Sequence, residues 1–145
     1  MVIAMSDTSE NLPSFSFGDS PELADELLQL VLNGMKTATC GDLHSYEAEG
    51  ETLPKPGDQF VILDGKGQEA CIIEMITVTA RQFDEIDEVW AVLEGEGDLS
   101  LEHWQQGHKE YFERNGVYAP DMKLVCEYFK VVQIFKLDNA PVKPN

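Results

Sequence analysis

Gly34-Met35-Lys36-Thr37-Ala38-Thr39 is the stretch from which the fold is read, because an amphipathic helix runs out there. Upstream, Leu23, Leu27, Leu30 and Val31 recur at helical spacing and form one apolar stripe. Ser20 suits the N-cap, and Pro21 suits the first helical position, where its missing N–H is not needed. Gly34 fits just past the helix end, since it takes a left-handed conformation without a Cβ clash. The spacing therefore predicts a helix over Pro21–Asn33 that presents Lys36 and Thr39 directly after it. A lysine and a hydroxyl three residues apart share a side only where the backbone is turned or helical. A bland role competes with a functional one, because a lysine after a helix also interacts favourably with its last carbonyls.

Outward from this joint, 145 residues at 43% hydrophobic content fit one domain with a real core. Cys40, Cys71 and Cys126 are odd in number, widely spaced and without a CxxC pair, which argues against a disulfide framework and a zinc site. They suit a reducing compartment. Val2-Ile3-Ala4-Met5 is too short for a signal peptide or membrane span, so a cytoplasmic protein is expected.

The net charge of −17 bears on partners. From Asp84 to Glu113 there are ten acidic residues and one basic residue, Lys109. Binding through phosphates relies on clustered Lys and Arg that release counterions. The ten such residues here are spread thinly, so neither a broad nucleic-acid surface nor DNA binding is expected, while a small basic pocket remains open. The acidity alternatively serves solubility.

Residues 1–12 read as a flexible arm, 13–137 as the domain and 138–145 as a tail. Phe15 and Phe17, alternating with serines, look like a lead-in that packs its rings on the core. Pro54-Lys55-Pro56-Gly57-Asp58 is a turn cluster, followed by a strand over Gln59–Leu63, a turn at Asp64-Gly65-Lys66-Gly67 and a return strand over Glu69–Thr79. In the return strand Glu74 shares a face with Ile72, Ile76 and Val78. A carboxylate on an aliphatic row either addresses a pocket or is costly. Asp84–Glu94 reads as a second helix with Ile86, Val89, Trp90 and Leu93 inward. Gly95-Glu96-Gly97-Asp98 reads first as a connector. It lacks the Lys and spacing of a phosphate loop and the spacing of a calcium loop, so no metal or cofactor is expected. Ser100 or Asp98 caps a third helix, Leu101–Asn115, with Leu101, Trp104, His108 and Tyr111 or Phe112 on one stripe. A long strand over Lys123–Phe135 follows, with Glu127 on the row of Val125, Phe129 and Val131.

Several pieces occur together in one order: Phe17-Gly18, Gly34-x-Lys36-Thr37-Ala38-Thr39 and Pro56-Gly57-Asp58 before a strand. They continue with Glu94-Gly95-Glu96-Gly97-Asp98-x-Ser100-Leu101-x-x-Trp104, His108 and Cys126-Glu127-x-Phe129. In this the run from Phe15 to Phe135 resembles the ASCH domain family, a relative of the PUA RNA-binding fold, and more closely its longer bacterial branch. The resemblance implies an α+β fold: a PUA-like small β-barrel flanked by about three helices, with a cleft between them. It also implies a partner that is RNA or a small nucleoside, bound or hydrolysed in a cleft around Lys36. Members of the family have been regarded as RNA-associated modules, some resemble ribonucleases, and a compact branch hydrolyses the acetyl amide of acetylated cytidine. By position, the catalytic residues implied are Lys36, Thr39 and Glu74, with Ser100 joining them in the longer branch. Thr37, Trp104, His108 and Glu127 would line the pocket and bind substrate, Trp104 by stacking a base. Relatives often carry Arg after the helix Trp, whereas Gln105 follows Trp104 here, which removes a cation for phosphate and favours amide hydrolysis over a nuclease.

Two states of the lysine remain open. Desolvated, Lys36 loses its proton and activates the Thr39 hydroxyl or a water, with Glu74 passing the proton to a leaving amine. Paired with Glu74, Lys36 stays charged, each holding the other ionised, and acts as an electrostatic clamp. The competing readings are a non-catalytic nucleotide- or RNA-binding module and a protein-interaction domain using the acidic helices.

Overall fold

The computed structural model describes residues 12–48, 50 and 52–135. The expected arm (apart from Leu12) and the expected tail at 138–145 lie outside the described residues. The helix at the decisive joint, α1, spans Pro21–Leu32. Its start is the expected one: the Leu23 amide donates to the Ser20 hydroxyl at 3.1 Å, and Pro21 occupies the first turn. Asn33 caps its end and Gly34 follows with φ +85°. Ala24, Leu27, Leu28 and Val31 are its buried side.

The remaining elements are β1 (Ser14–Phe15), β2 (Ala38–Asp42), α2 (Leu43–Ala48), β3 (Gln59–Leu63), β4 (Glu69–Gln82), α3 (Glu88–Glu94), α4 (Leu101–Arg114) and β5 (Lys123–Ile134). The five strands form one mixed sheet in the order β1-β3-β4-β5-β2, in which only β1 and β3 run parallel. The fold is α+β as expected, with α2 raising the helix count among the described residues to four. β1 and β2 are the two edges and do not pair, so the sheet is open rather than a closed barrel.

Two apolar clusters flank the sheet. One joins Phe17 and the buried side of α1 to Ile62, Ile73, Met75 and Phe129. The other joins Ala38, Leu124 and Cys126 to Trp90 of α3 and to Trp104 and Phe112 of α4. Helices on opposite sides of one sheet bury both faces, which explains why β5 reads as a nearly unbroken apolar run. The bidentate bond from Arg114 to Asp19, at 2.9 and 3.0 Å, ties the end of α4 to the lead-in that carries Phe17.

The expected second helix breaks in two. Phe83–Glu85 is a single 3-10 turn, Ile86 is extended, and α3 begins only after Asp87, whose carboxylate accepts from the Trp90 amide at 3.0 Å. The restart turns α3 about its axis relative to the expectation. Val89, expected inward, is 68% exposed, while Trp90, Ala91 and Glu94 face inward. The inward position of Glu94 builds the site. No helix among the described residues is long and apolar enough to cross a membrane.

Candidate active site

Lys36 is buried, at 1% exposure. Its ammonium donates to Glu96 Oε2 at 2.7 Å, to Glu94 Oε1 at 3.3 Å and, more weakly, to the Glu94 carbonyl at 3.5 Å. The chain achieves this by docking the residues after α1 on the end of α3. The Thr37 amide and hydroxyl both donate to the Leu93 carbonyl, at 2.8 and 3.1 Å, so the Thr37 hydroxyl satisfies a helix end. Gly95 follows α3 with φ +70°, and a Cβ there would meet Lys36 Cα at 3.0 Å and run into the Met35 carbonyl. Only glycine allows these two backbones to lie so close.

Glu94, also 1% exposed, has each carboxylate oxygen anchored. Trp90 Nε1 donates to Oε2 at 2.8 Å, and Oε1 receives both Lys36 and His108 Nε2, the latter at 3.2 Å. His108 Nδ1 lies 3.0 Å from the Trp104 carbonyl. Both ring nitrogens therefore face acceptors, which assigns a proton to each and makes His108 an imidazolium. Its ring stacks on Trp104 at 4.2 Å and 14°, which suits a cation on an indole face. Trp104 Nε1 is buried with no hydrogen-bond partner among the described residues.

The charges fix one another. Burial alone would lower the Lys36 pKa, but Glu94 and Glu96 outweigh it and raise it above the ordinary lysine value. Burial opposes the charge of His108 too, and Glu94 raises its pKa nonetheless. Burial would raise Glu94, yet the Lys36 and His108 charges hold it well below the carboxylate range. Of the two states left open by the sequence, Lys36 is thus in the charged one. As an ammonium it is not a neutral base.

Beside this cluster lies a cavity of about 690 Å³. Phe15, Phe17, Phe60 and Tyr111 supply aromatic wall, Thr39, Tyr46 and Glu127 supply polar atoms, and Lys55 is the only cationic side chain lining it among the described residues. Two residues belong to both regions. Phe17 lines the cavity and lies under the Lys36 ammonium at 5.7 Å, and Cys40 lines it while its sulfur lies within 4.8 Å of donor atoms on Glu94 and His108. Cys40, Glu94 and His108 are a donor set that could hold a transition metal. Lys36 and His108 already neutralise Glu94, so its charge does not require one.

Thr39 and Glu127 are directly opposed in the β2–β5 ladder and both line the cavity. Burial pushes the Glu127 carboxyl up to about 7, against the hydrogen bond from the Tyr46 hydroxyl at 3.4 Å. Glu74 is placed differently from the other carboxylates. It accepts from Gln59 Nε2 at 3.0 Å, and it precedes Met75, whose side chain lines the cavity from the other face of β4. The carboxylates that meet Lys36 are Glu94 and Glu96, from the stretch read in sequence as a connector. Ser100 caps α4, accepting from the His103 amide at 3.0 Å and donating to Asp98 at 2.6 Å, with no bond to Lys36.

The open five-stranded sheet with helices on both sides, and a lysine held by carboxylates beside a cleft, define the class. The chain belongs to the ASCH domain family, whose model matches residues 13–133. It is similar to a crystal structure of a protein from Enterococcus faecalis V583, with 38% identity over 84% of this chain and 77% of that one and a TM-score of 0.77. It is likewise similar to an ASCH domain from Lactobacillus crispatus JV V101, with 36% identity over 88% of this chain and 85% of that one and a TM-score of 0.77. An ASCH structure from Zymomonas mobilis, at 12% identity over 85% of this chain and 71% of that one with a TM-score of 0.53, shares the fold. No curated protein matches the chain.

Proposed function

We propose that this ASCH domain is a hydrolase acting on an amide carried by a modified nucleoside or short RNA, bound in the cavity between Phe17 and Thr39. The observation that carries the reading is the buried ammonium of Lys36, 2.7 Å from a carboxylate that is itself a quarter exposed. A fixed cation at low dielectric stabilises the oxyanion that forms when water or the Thr39 hydroxyl adds to an amide carbonyl. Glu96 takes the proton of the attacking group and returns it to the nitrogen as the C–N bond breaks. Where Thr39 attacks, a water then hydrolyses the acyl-Thr39 ester and frees the acid and the hydroxyl. This gives Glu96 the part that the resemblance assigned to Glu74, because Glu96 is the partly exposed carboxylate that touches Lys36. Aromatic walls and few cations favour a planar, weakly charged ligand over a long phosphate backbone.

One observation favours a non-catalytic module instead. The three Lys36 protons already have three acceptors, so a substrate oxygen has to replace one of them. The bond to the Glu94 carbonyl is the longest and is the one to be replaced in the hydrolytic reading. Incubating the full chain with N-acylated nucleosides and short RNAs separates the two. Turnover that falls in Thr39→Val supports hydrolysis, and saturable binding without any product supports the module.

A further inference from the structure

We propose that Glu127 selects the ligand by hydrogen-bonding, from the cavity wall opposite Thr39, the edge of an uncharged nitrogen heterocycle that carries a ring-nitrogen acceptor beside an amino donor. The inference rests on the cavity being the ligand site and goes further by naming the group that reads the ligand.

Glu127 is 5% exposed and sits in the cavity wall opposite Thr39. One of its oxygens, Oε2, receives the Tyr46 hydroxyl at 3.4 Å, and the other has no hydrogen-bond partner among the described residues. Phe15 packs edge-on against Phe17 and Phe60, with centroids 5.4 and 5.7 Å away, which leaves an apolar wall for a flat ring. A carboxyl group in such a wall has a donor and an acceptor only when protonated, and the two together match a ring nitrogen next to an amino group. An ionised carboxylate would turn a lone pair on the ring nitrogen. Glu127 titrates near 7, so the match exists at neutral pH and below and is lost above it.

The groups facing Glu127 do not reproduce this behaviour. Burial keeps Cys40 on β2 and Cys126 beside it in β5 protonated well above neutral, and Tyr111 of α4 likewise. Glu94 behind the wall stays ionised and reinforces the upward shift of Glu127. Tyr46 of α2 donates to it, and at the rim Lys55 and Asp58 lie 4.0 Å from each other.

The test is calorimetric titration of the full chain with adenosine and with cytidine at pH 6 and pH 8.5. Wild type should bind at least one of them and weaken about thirtyfold between these pH values, following the protonated fraction of a group near 7. Glu127→Gln carries a donor and an acceptor at every pH and should bind equally at both. Glu127→Ala should lose binding at both, with its folding checked by thermal melting. Equal, pH-independent affinity in wild type, Glu127→Gln and Glu127→Ala would overturn the role of Glu127. If Thr39→Val still weakened binding in that case, the cavity would remain the ligand site. No binding of either nucleoside at pH 6 would overturn the selection proposed here, and N-acyl nucleoside turnover would then decide separately whether the cavity is an active site.

Discussion

The Lys36 ammonium and the Glu96 carboxylate meet at 2.7 Å across 60 residues of sequence. The contact joins the chain just after α1 to the chain just after α3, and Phe17, under the Lys36 ammonium, and Cys40, near Glu94 and His108, connect the charge network to the cavity. With Glu94 and His108 it forms a set of two cations and two anions, so the charges buried there balance.

Removing one member of a buried set strands the others. Lys36→Met leaves Glu94 ionised at 1% exposure with only His108 as a cationic partner, and a loss of about 3–5 kcal/mol is expected. Denaturant unfolding of the two proteins side by side checks it. A loss below 1 kcal/mol would mean that the network does not bear on stability.

His108 should make stability depend on alkaline pH. Its pKa is raised on folding, so its contribution is complete below the unfolded value of about 6.5 and is lost as pH rises through the higher folded value. His108→Gln should remove that slope above pH 6.5, as measured by unfolding from pH 6 to 9.

Glu127 should produce a slope in a different window. Its carboxyl is neutral in the fold up to about 7, while in the unfolded chain it ionises from about 4.5. Between those values the folded state binds more protons, so stability falls as pH rises, by about 3 kcal/mol in all, and stays lower above 7. Glu127→Gln should abolish this fall and melt higher than wild type at pH 8.

Gly95→Ala should destabilise twice over. The left-handed backbone costs a residue with a Cβ about 1–3 kcal/mol, and the new carbon would press on the Met35 carbonyl and Lys36. Because the strain falls on the joint that seats Lys36, melting temperature and activity should fall together.

Much of the fold was legible in short-range signals. Ser20, Pro21 and Gly34 mark the limits of α1, and Pro56-Gly57-Asp58 with Asp64-Gly65-Lys66-Gly67 brackets β3, because caps and turns depend on a few adjacent residues. Lys36, Thr39 and Glu127 could be singled out, and the last two line one cavity. The carboxylate partners of Lys36 were not legible. Glu94 looked like one acid among many at a helix end, and Glu96 like part of a connector between glycines. What fixes them is the rotation of α3 after the break at Ile86, which follows from docking against β2 and not from local periodicity. That rotation also exposes Val89, which helical spacing had placed inside. The glycines on either side of Glu96 were the signal available in sequence, since paired glycines can mark a close approach as well as a loop, and both take a positive φ.

The most direct test of the central claim is the single-turnover hydrolysis of N-acylated nucleosides by wild type and Glu96→Gln, with product followed by chromatography. Glu96→Gln keeps the shape and a hydrogen-bond acceptor for Lys36 while removing the proton carrier, and its folding is checked by thermal melting. The account predicts a rate about 10²–10⁴-fold lower in the folded Glu96→Gln protein. Hydrolysis at the wild-type rate by the folded variant would contradict it.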